Sequence, residues 1–243
     1  MIEDIGDVRR GSYGRHHGLR RPGALPFPHL TEQVRQIAVI GNGGVMILAR
    51  HLARALDAGL LGLGPAERAD AFQADGKAAQ ICPVRWRALR GEPTIDDLQA
   101  ANFVVTDSPA RAERLSLLCP TLFSQPTPRT GSIGTNILIV WDGSNGAARA
   151  VRAVRPLLRD ARHVHITAVG VADPAIVVEI LEEHGILAST MTVPDDAAEL
   201  AARVIEQVDA YGIDLLVSGR MNHGCRPVWS HPLPYPACAW FTA

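Results

Sequence analysis

Two successive α/β domains, each a mainly parallel sheet with helices on both faces, are the fold class that this 243-residue sequence predicts. Three observations predict it. Short apolar runs alternate with segments of helical period from Gln36 to Gly219. The run Asn136-Ile137-Leu138-Ile139-Val140-Trp141 passes at once into Asp142-Gly143-Ser144 and then into a helical pattern, as a fully buried strand does when it turns tightly into a helix. The order of elements also occurs twice. Laying Ile37 on Ile137 puts Asn42 on Asp142, Gly43 on Gly143 and Gly44 on Ser144, and Ala101–Val105 answers Ile213–Val217.

The elements follow in chain order. Residues 1–31 carry Arg9, Arg10, Arg15, Arg20 and Arg21 among glycines and prolines, with little apolar periodicity, and read as a flexible arm. The first domain, 32–125, opens with strand Ile37–Ile40, a glycine turn, and a helix from Val45 to Ala58 with Leu48, Leu52 and Leu56 on one face. Strand Gly59–Leu63, helix Pro65–Ala79, strand Pro83–Leu89, a short Thr-capped helix Thr94–Ala101 and strands Phe103–Thr106 and Thr121–Phe123 complete it. Residues 126–135, with Pro126, Pro128, Gly131 and Gly134, are the linker.

In the second domain, 136–243, strand Ile137–Trp141 leads to a helix through Leu158, with Ser144 as its N-cap and Pro156 in its last turn. Strand Val164–Val169, a helix opened by Asp173-Pro174 and closed at Gly185, and strand Ile186–Val193 come next. A helix capped by Asp195 or Asp196 runs to Gly212, and strand Ile213–Val217 ends in Ser218-Gly219. Pro227–His231 is the candidate for a shortened fifth strand.

Composition narrows the function. With 24 Lys+Arg against 25 Asp+Glu the net charge is -1, so no bulk attraction to nucleic acid or to an anionic membrane is implied, and neither is expected as a partner. No apolar segment has membrane-spanning length and none resembles a signal-peptide core, so the cytoplasm is the expected home. Cys82, Cys119, Cys225 and Cys238 form no CxxC pair; His223, Cys225, His231 and Cys238 have the composition of a zinc site, but their spacing fits no standard pattern. His163 and His165 alternate along one strand with no third ligand in view. We therefore expect no metal site, and no nucleophile elbow, Walker loop or paired carboxylates point to catalysis.

The chemistry gathers at 142–144. Asp142 ends a strand at the carboxyl edge of the sheet, beside the first free N–H groups of a helix, where open α/β sheets hold nucleotides. Asp142 as a ligand group and Asp142 as a turn residue bonding the backbone ahead of it are both open, and Ser144 is most simply a capping hydroxyl.

Asn136–Ser144, Ala147-Ala148-Arg149-Ala150-Val151 and Asp214-Leu215-Leu216-Val217-Ser218-Gly219 resemble the universal stress protein family in its tandem two-domain form, strongly in the second half and weakly in the first. The resemblance implies two Rossmann-like domains of the adenine nucleotide alpha hydrolase type, each with five strands, in a stress-response module that senses a ligand or partner without turnover. Some members bind ATP, with Mg²⁺, and others do not. Asp142, Gly143 and Ser144 match the first strand's end, Val169 falls where the family's backbone meets adenine, and Gly219 matches the first glycine of G-x-x-G-x9-G-[ST]. The second and third glycines fall on Asn222 and Pro232, so the phosphate half is altered, through real loss or through a frame shift near Arg220. In the first half Asn42 lacks the charge and Thr106-Asp107-Ser108-Pro109 replaces the glycine turn, so no nucleotide is expected there. The resemblance also implies pairing of the two repeats through their fifth strands and leaves a further homodimer open. The other functional classes are a nucleotide hydrolase or transferase with Asp142 on a metal, and a scaffold without ligand.

Overall fold

The computed structural model describes residues 35–41, 43–124, 133–219 and 238–243. The expected arm, most of the linker, the Pro227–His231 strand, Asn222 and Pro232 lie outside these residues. The first described half runs β1 (Gln36–Ile40), α1 (Gly43–Ala55), β2 (Gly59–Gly64), a 3-10 turn (Ala66–Arg68), α2 (Ala69–Ala78), β3 (Val84–Ala88), α3 (Ile95–Leu98), β4 (Phe103–Thr106), α4 (Pro109–Leu115) and β5 (Thr121–Phe123). The second runs β6 (Asn136–Trp141), α5 (Asn145–Leu158), β7 (His163–Val169), α6 (Ala175–Glu182), β8 (Ala188–Val193), α7 (Ala197–Ala210), β9 (Leu215–Ser218) and β10 (Ala239–Thr242).

The ten strands form one sheet in the order β3-β2-β1-β4-β5-β10-β9-β6-β7-β8. Every neighbouring pair is parallel except β5 with β10, which run antiparallel with Phe123 opposite Trp240 and Leu122 opposite Phe241. An α/β fold on a mainly parallel sheet is thus what the chain adopts. Alternate residues of a strand point to opposite faces, which sorts the helices. Ile37, Val39, Ile137 and Ile139 share a core with Leu48 and Leu52 of α1, Val151 and Val154 of α5, and Val177 and Leu181 of α6. Ala38 and Ile40 pack with Leu98 of α3 and Leu115 of α4, and Leu138 and Val140 with Leu200 and Val204 of α7. The central strands read as unbroken apolar runs because both of their faces are covered.

The seam is as dry as the cores it joins. Phe241 and Leu122 are fully buried. Phe241 meets Phe103 edge-on with ring centroids 5.8 Å apart, and Trp240 donates its indole N–H to Ser218 Oγ at 2.8 Å.

One staple is built in both halves. Asn102, just before β4, accepts through Oδ1 from the backbone N–H groups of Arg35 (2.8 Å) and Gln36 (3.1 Å). Asp214, just before β9, accepts from Gly134 (2.8 Å), Thr135 (3.0 Å) and Asn136 (3.3 Å). Each fixes the entry of its half's first strand against the fourth. Burial pushes the Asp214 carboxyl up from 3.8, against the pull of the same three N–H groups. A carboxyl raised in the folded state binds its proton more tightly than in the unfolded chain. Its contribution is therefore full below 3.8 and is lost as pH rises through the folded value. The stability of wild type relative to Asp214→Asn is expected to fall as pH rises from about 4 towards neutrality, where Asn keeps an acceptor without a buried charge. Urea titrations of both proteins across that range check this, and a difference independent of pH contradicts it.

Several boundaries differ from the sequence expectation. The first helix ends at Ala55, three residues early, because Asp57 takes a left-handed φ of 50° and the chain must re-enter the sheet at Gly59. Helix α4 was not expected. Pro109 occupies its first turn and Ser108 Oγ accepts from Arg111 N at 3.3 Å, a start signal hidden in the segment compared with a glycine turn. The strand beside β9 is Ala239–Thr242, an Ala-Trp-Phe-Thr run that follows the prolines of the tail and for which the sequence pattern predicts no strand.

Candidate functional site

Five residues singled out in the sequence stand at the carboxyl ends of β6, β7 and β9, which are neighbours in the sheet. Asp142 follows β6 directly. Its Oδ1 accepts from Ser144 N at 3.0 Å, a turn the Asp-Gly-Ser sequence forms by itself. Its Oδ2 is buried and has no hydrogen-bond partner among the described residues. A buried carboxylate oxygen left unpaired costs on the order of 1–3 kcal/mol, so it is a place where a donor or a cation would be stabilised. Gly143 has a left-handed φ of 74°, which bends the chain back towards α5, and its missing side chain would point at Ala172.

Ser144 is the N-cap of α5, its Oγ accepting from Ala147 N at 3.1 Å. That hydrogen bond uses one of the helix's free donors internally. Val169, the last residue of β7, is 5% exposed, and its carbonyl accepts from Ala172 N at 3.1 Å. Its side chain belongs to the core on the α7 face. Gly219 lies against the first turn of α5. A Cβ there would collide with the backbone nitrogen of Ala147 and stand 2.6 Å from the carbonyl carbon of Gly146 and 2.7 Å from Ala147 Cα. Gly219 therefore brings the end of β9 against the helix start, as a glycine does where two backbones meet.

The structure thus joins Asp142, Ser144 and Gly219 around the start of α5, and places Gly143 beside the turn that follows Val169. Sequence patterns missed Trp141, which is 2% exposed and donates its indole N–H to Asp173 O at 3.0 Å, tying the end of β6 to the loop before α6. A buried tryptophan next to the acid was the available signal, since its N–H needs an acceptor. In the first half, Arg68 donates to Gly41 O at 2.6 Å, and a Cβ at Gly41 would stand 2.6 Å from Asp107 Oδ1. Arg68 and Asp107 thus stand at the carboxyl end of β1.

Among the described residues no group of three or more His, Cys, Asp or Glu is placed to hold a metal ion. Cys238 is buried, and burial pushes its thiol up to about 12, while His223, Cys225 and His231 lie outside the described residues. His165 stacks on Tyr211 with centroids 4.5 Å apart and Nδ1 2.7 Å from Ser189 Oγ. Burial, and then the neighbouring His163, hold its pKa below the usual histidine value.

Comparison with solved structures finds a likeness in the fold. The fold is similar to that of a universal stress protein from Archaeoglobus fulgidus DSM 4304, with a TM-score of 0.59 and 12% sequence identity over 84% of this chain and 97% of that one. The likeness is one of fold. An N-terminal ketoreductase of a macrolactin assembly line gives a TM-score of 0.25 at 12% identity over 78% of this chain and 61% of that one, and carries no argument. No family model matches the sequence, and no curated protein matches it. No helix among the described residues is long and apolar enough to cross a membrane.

Proposed function

We propose that this chain is a tandem universal-stress-type protein, two repeats of one five-stranded domain paired inside a single polypeptide. It acts as a ligand-sensing or interaction module in a stress response, with an adenine nucleotide held in the second half. Support for the tandem arrangement comes from the mirrored strand order about β5 and β10 and from the staple present in both halves. The observation that carries the ligand is the unpaired Asp142 Oδ2 at the carboxyl edge beside α5.

The residues present fit the nucleoside end of ATP better than its phosphates. A carboxylate oxygen without a partner accepts from a ribose hydroxyl or an amino group. By contrast, Ala147 N is already bonded to Ser144 and Gly219 is pressed against α5. The triphosphate and its Mg²⁺ would draw little from this part of the fold, so the binding is weakened. Asp142 accepts and orients, and Ser144 holds the helix start.

A thermal melt tests this. ATP with Mg²⁺ at about 100 times its dissociation constant stabilises the fold by about 2.7 kcal/mol, a rise of about 5–10 °C. ADP and adenosine keep a large part of that rise, and Asp142→Asn removes it while leaving the ligand-free melt within about 2 °C. An absence of any shift with all three ligands refutes the binding proposal. Steady phosphate release abolished by Asp142→Ala would move the protein into the hydrolase class instead.

A further inference from the structure

Helix α5 and the turn after it carry Arg149, Arg152, Arg155, Arg159 and Arg162, against a single acid, Asp160. On a helix of 3.6 residues per turn the first four fall within an arc of about 120°. Ala147, Ala150, Val151, Val154, Leu157 and Leu158, all buried, occupy the opposite arc. Arg149, Arg152, Arg159 and Arg162 are exposed, Arg155 is half-buried, and Arg155 and Arg159 also hold contacts within the chain. Like charges at i,i+3 and i,i+4 repel one another, so this stripe works against the helix that carries it. The chain as a whole has a net charge of -1, so the stripe is a segregation of charge that bulk composition conceals.

From this stripe we infer a second binding surface, for the phosphodiester backbone of nucleic acid, contacted without sequence preference. Arg149 to Arg159 spans about 15 Å of helix, over which one strand of a duplex presents about four phosphates. Three features favour this partner. The stripe repeats about once per turn with one sign of charge. The fully buried apolar residues of α5 lie on the opposite arc, and only the small Ala148 and Pro156 stand among the arginines, whereas a helix lying in a membrane surface inserts bulky apolar side chains beside its basic ones. There is also no aromatic residue in α5, so it has neither an aromatic anchor for a protein partner nor a platform for stacking bases. What remains is phosphate neutralisation, which is sequence-independent and salt-sensitive.

The experiment is fluorescence anisotropy of the full chain with a labelled 20-base-pair duplex and with a single-stranded RNA of equal length, from about 50 to 200 mM salt. Binding is expected, with a slope of log K on log salt of about -3 to -4. Arg149→Gln/Arg152→Gln should reduce affinity at the lowest salt about tenfold and shrink the slope by about two. Arg149→Lys/Arg152→Lys should retain binding, and Arg85→Gln/Arg90→Gln, which removes the same charge from exposed positions around β3, should leave it unchanged. Thermal melts of each variant confirm that these exposed substitutions leave the fold intact. Equal losses in the stripe and β3 variants, no binding at the lowest salt, or binding only to anionic vesicles or to poly-glutamate would each overturn the proposal.

Discussion

Gly219→Ala is expected to lower the melting temperature by about 6–12 °C, because a single methyl group has no place between β9 and α5. The atoms it would meet are the backbone of Gly146 and Ala147 at the start of a helix, which cannot rotate away as a side chain could. Overpacking in a close-packed interior costs typically about 1–3 kcal/mol, and a clash with backbone lies at the upper end. At about 2–4 °C per kcal/mol for a chain of this size, that gives the stated range. Differential scanning calorimetry measures it directly. A change under about 1 °C would mean that β9 does not approach the helix as described. The same substitution should displace the Ser144 cap and so weaken any nucleotide binding at Asp142 beyond its effect on stability.

Phe241→Ala should cost more. Phe241 is fully buried, faces Leu122 across the antiparallel seam and packs edge-on with Phe103. Removing a buried phenylalanine costs about 3–5 kcal/mol, which corresponds to a melting temperature lower by about 6–20 °C. Phe241→Leu, which keeps aliphatic volume but loses the ring pair, should recover more than half of this loss. Because the two rings touch, Phe103→Ala combined with Phe241→Ala should cost less than the sum of the single changes. Strict additivity would show that the rings do not share a core. If the seam is what couples the halves, calorimetry of Phe241→Ala should also broaden or divide the single transition expected of the wild type.

Much of the scaffold was legible because its signals are local. Apolar runs such as Ile137–Val140 and amphipathic spacing such as that of α5 can be read within one window of sequence, and so can the Ser144, Asp196 and Thr94 caps. The features that escaped are set by distant partners. Nothing near Asp214 announces that it will hold three N–H groups some 80 residues away, and Ala239–Thr242 becomes a strand because β9 and β5 flank it. At the candidate site the positions of Asp142 and Ser144 were legible, since a tight turn from strand to helix allows few geometries. The contact of Gly219 with α5 was not, because an absent side chain leaves no pattern. Arg68 beside Gly41 was equally silent, joining residues on separate elements.

The antiparallel seam also has a bearing on how the chain is made. β5 leaves the ribosome about 115 residues ahead of the strand that covers it. At roughly 5–20 residues per second the first half waits on the order of ten seconds with its β5 side uncapped. During that interval an emerging copy on a neighbouring ribosome offers the same Thr-Leu-Phe strand, so crowded synthesis favours exchange between chains, and slow elongation through the intervening residues lengthens the exposure.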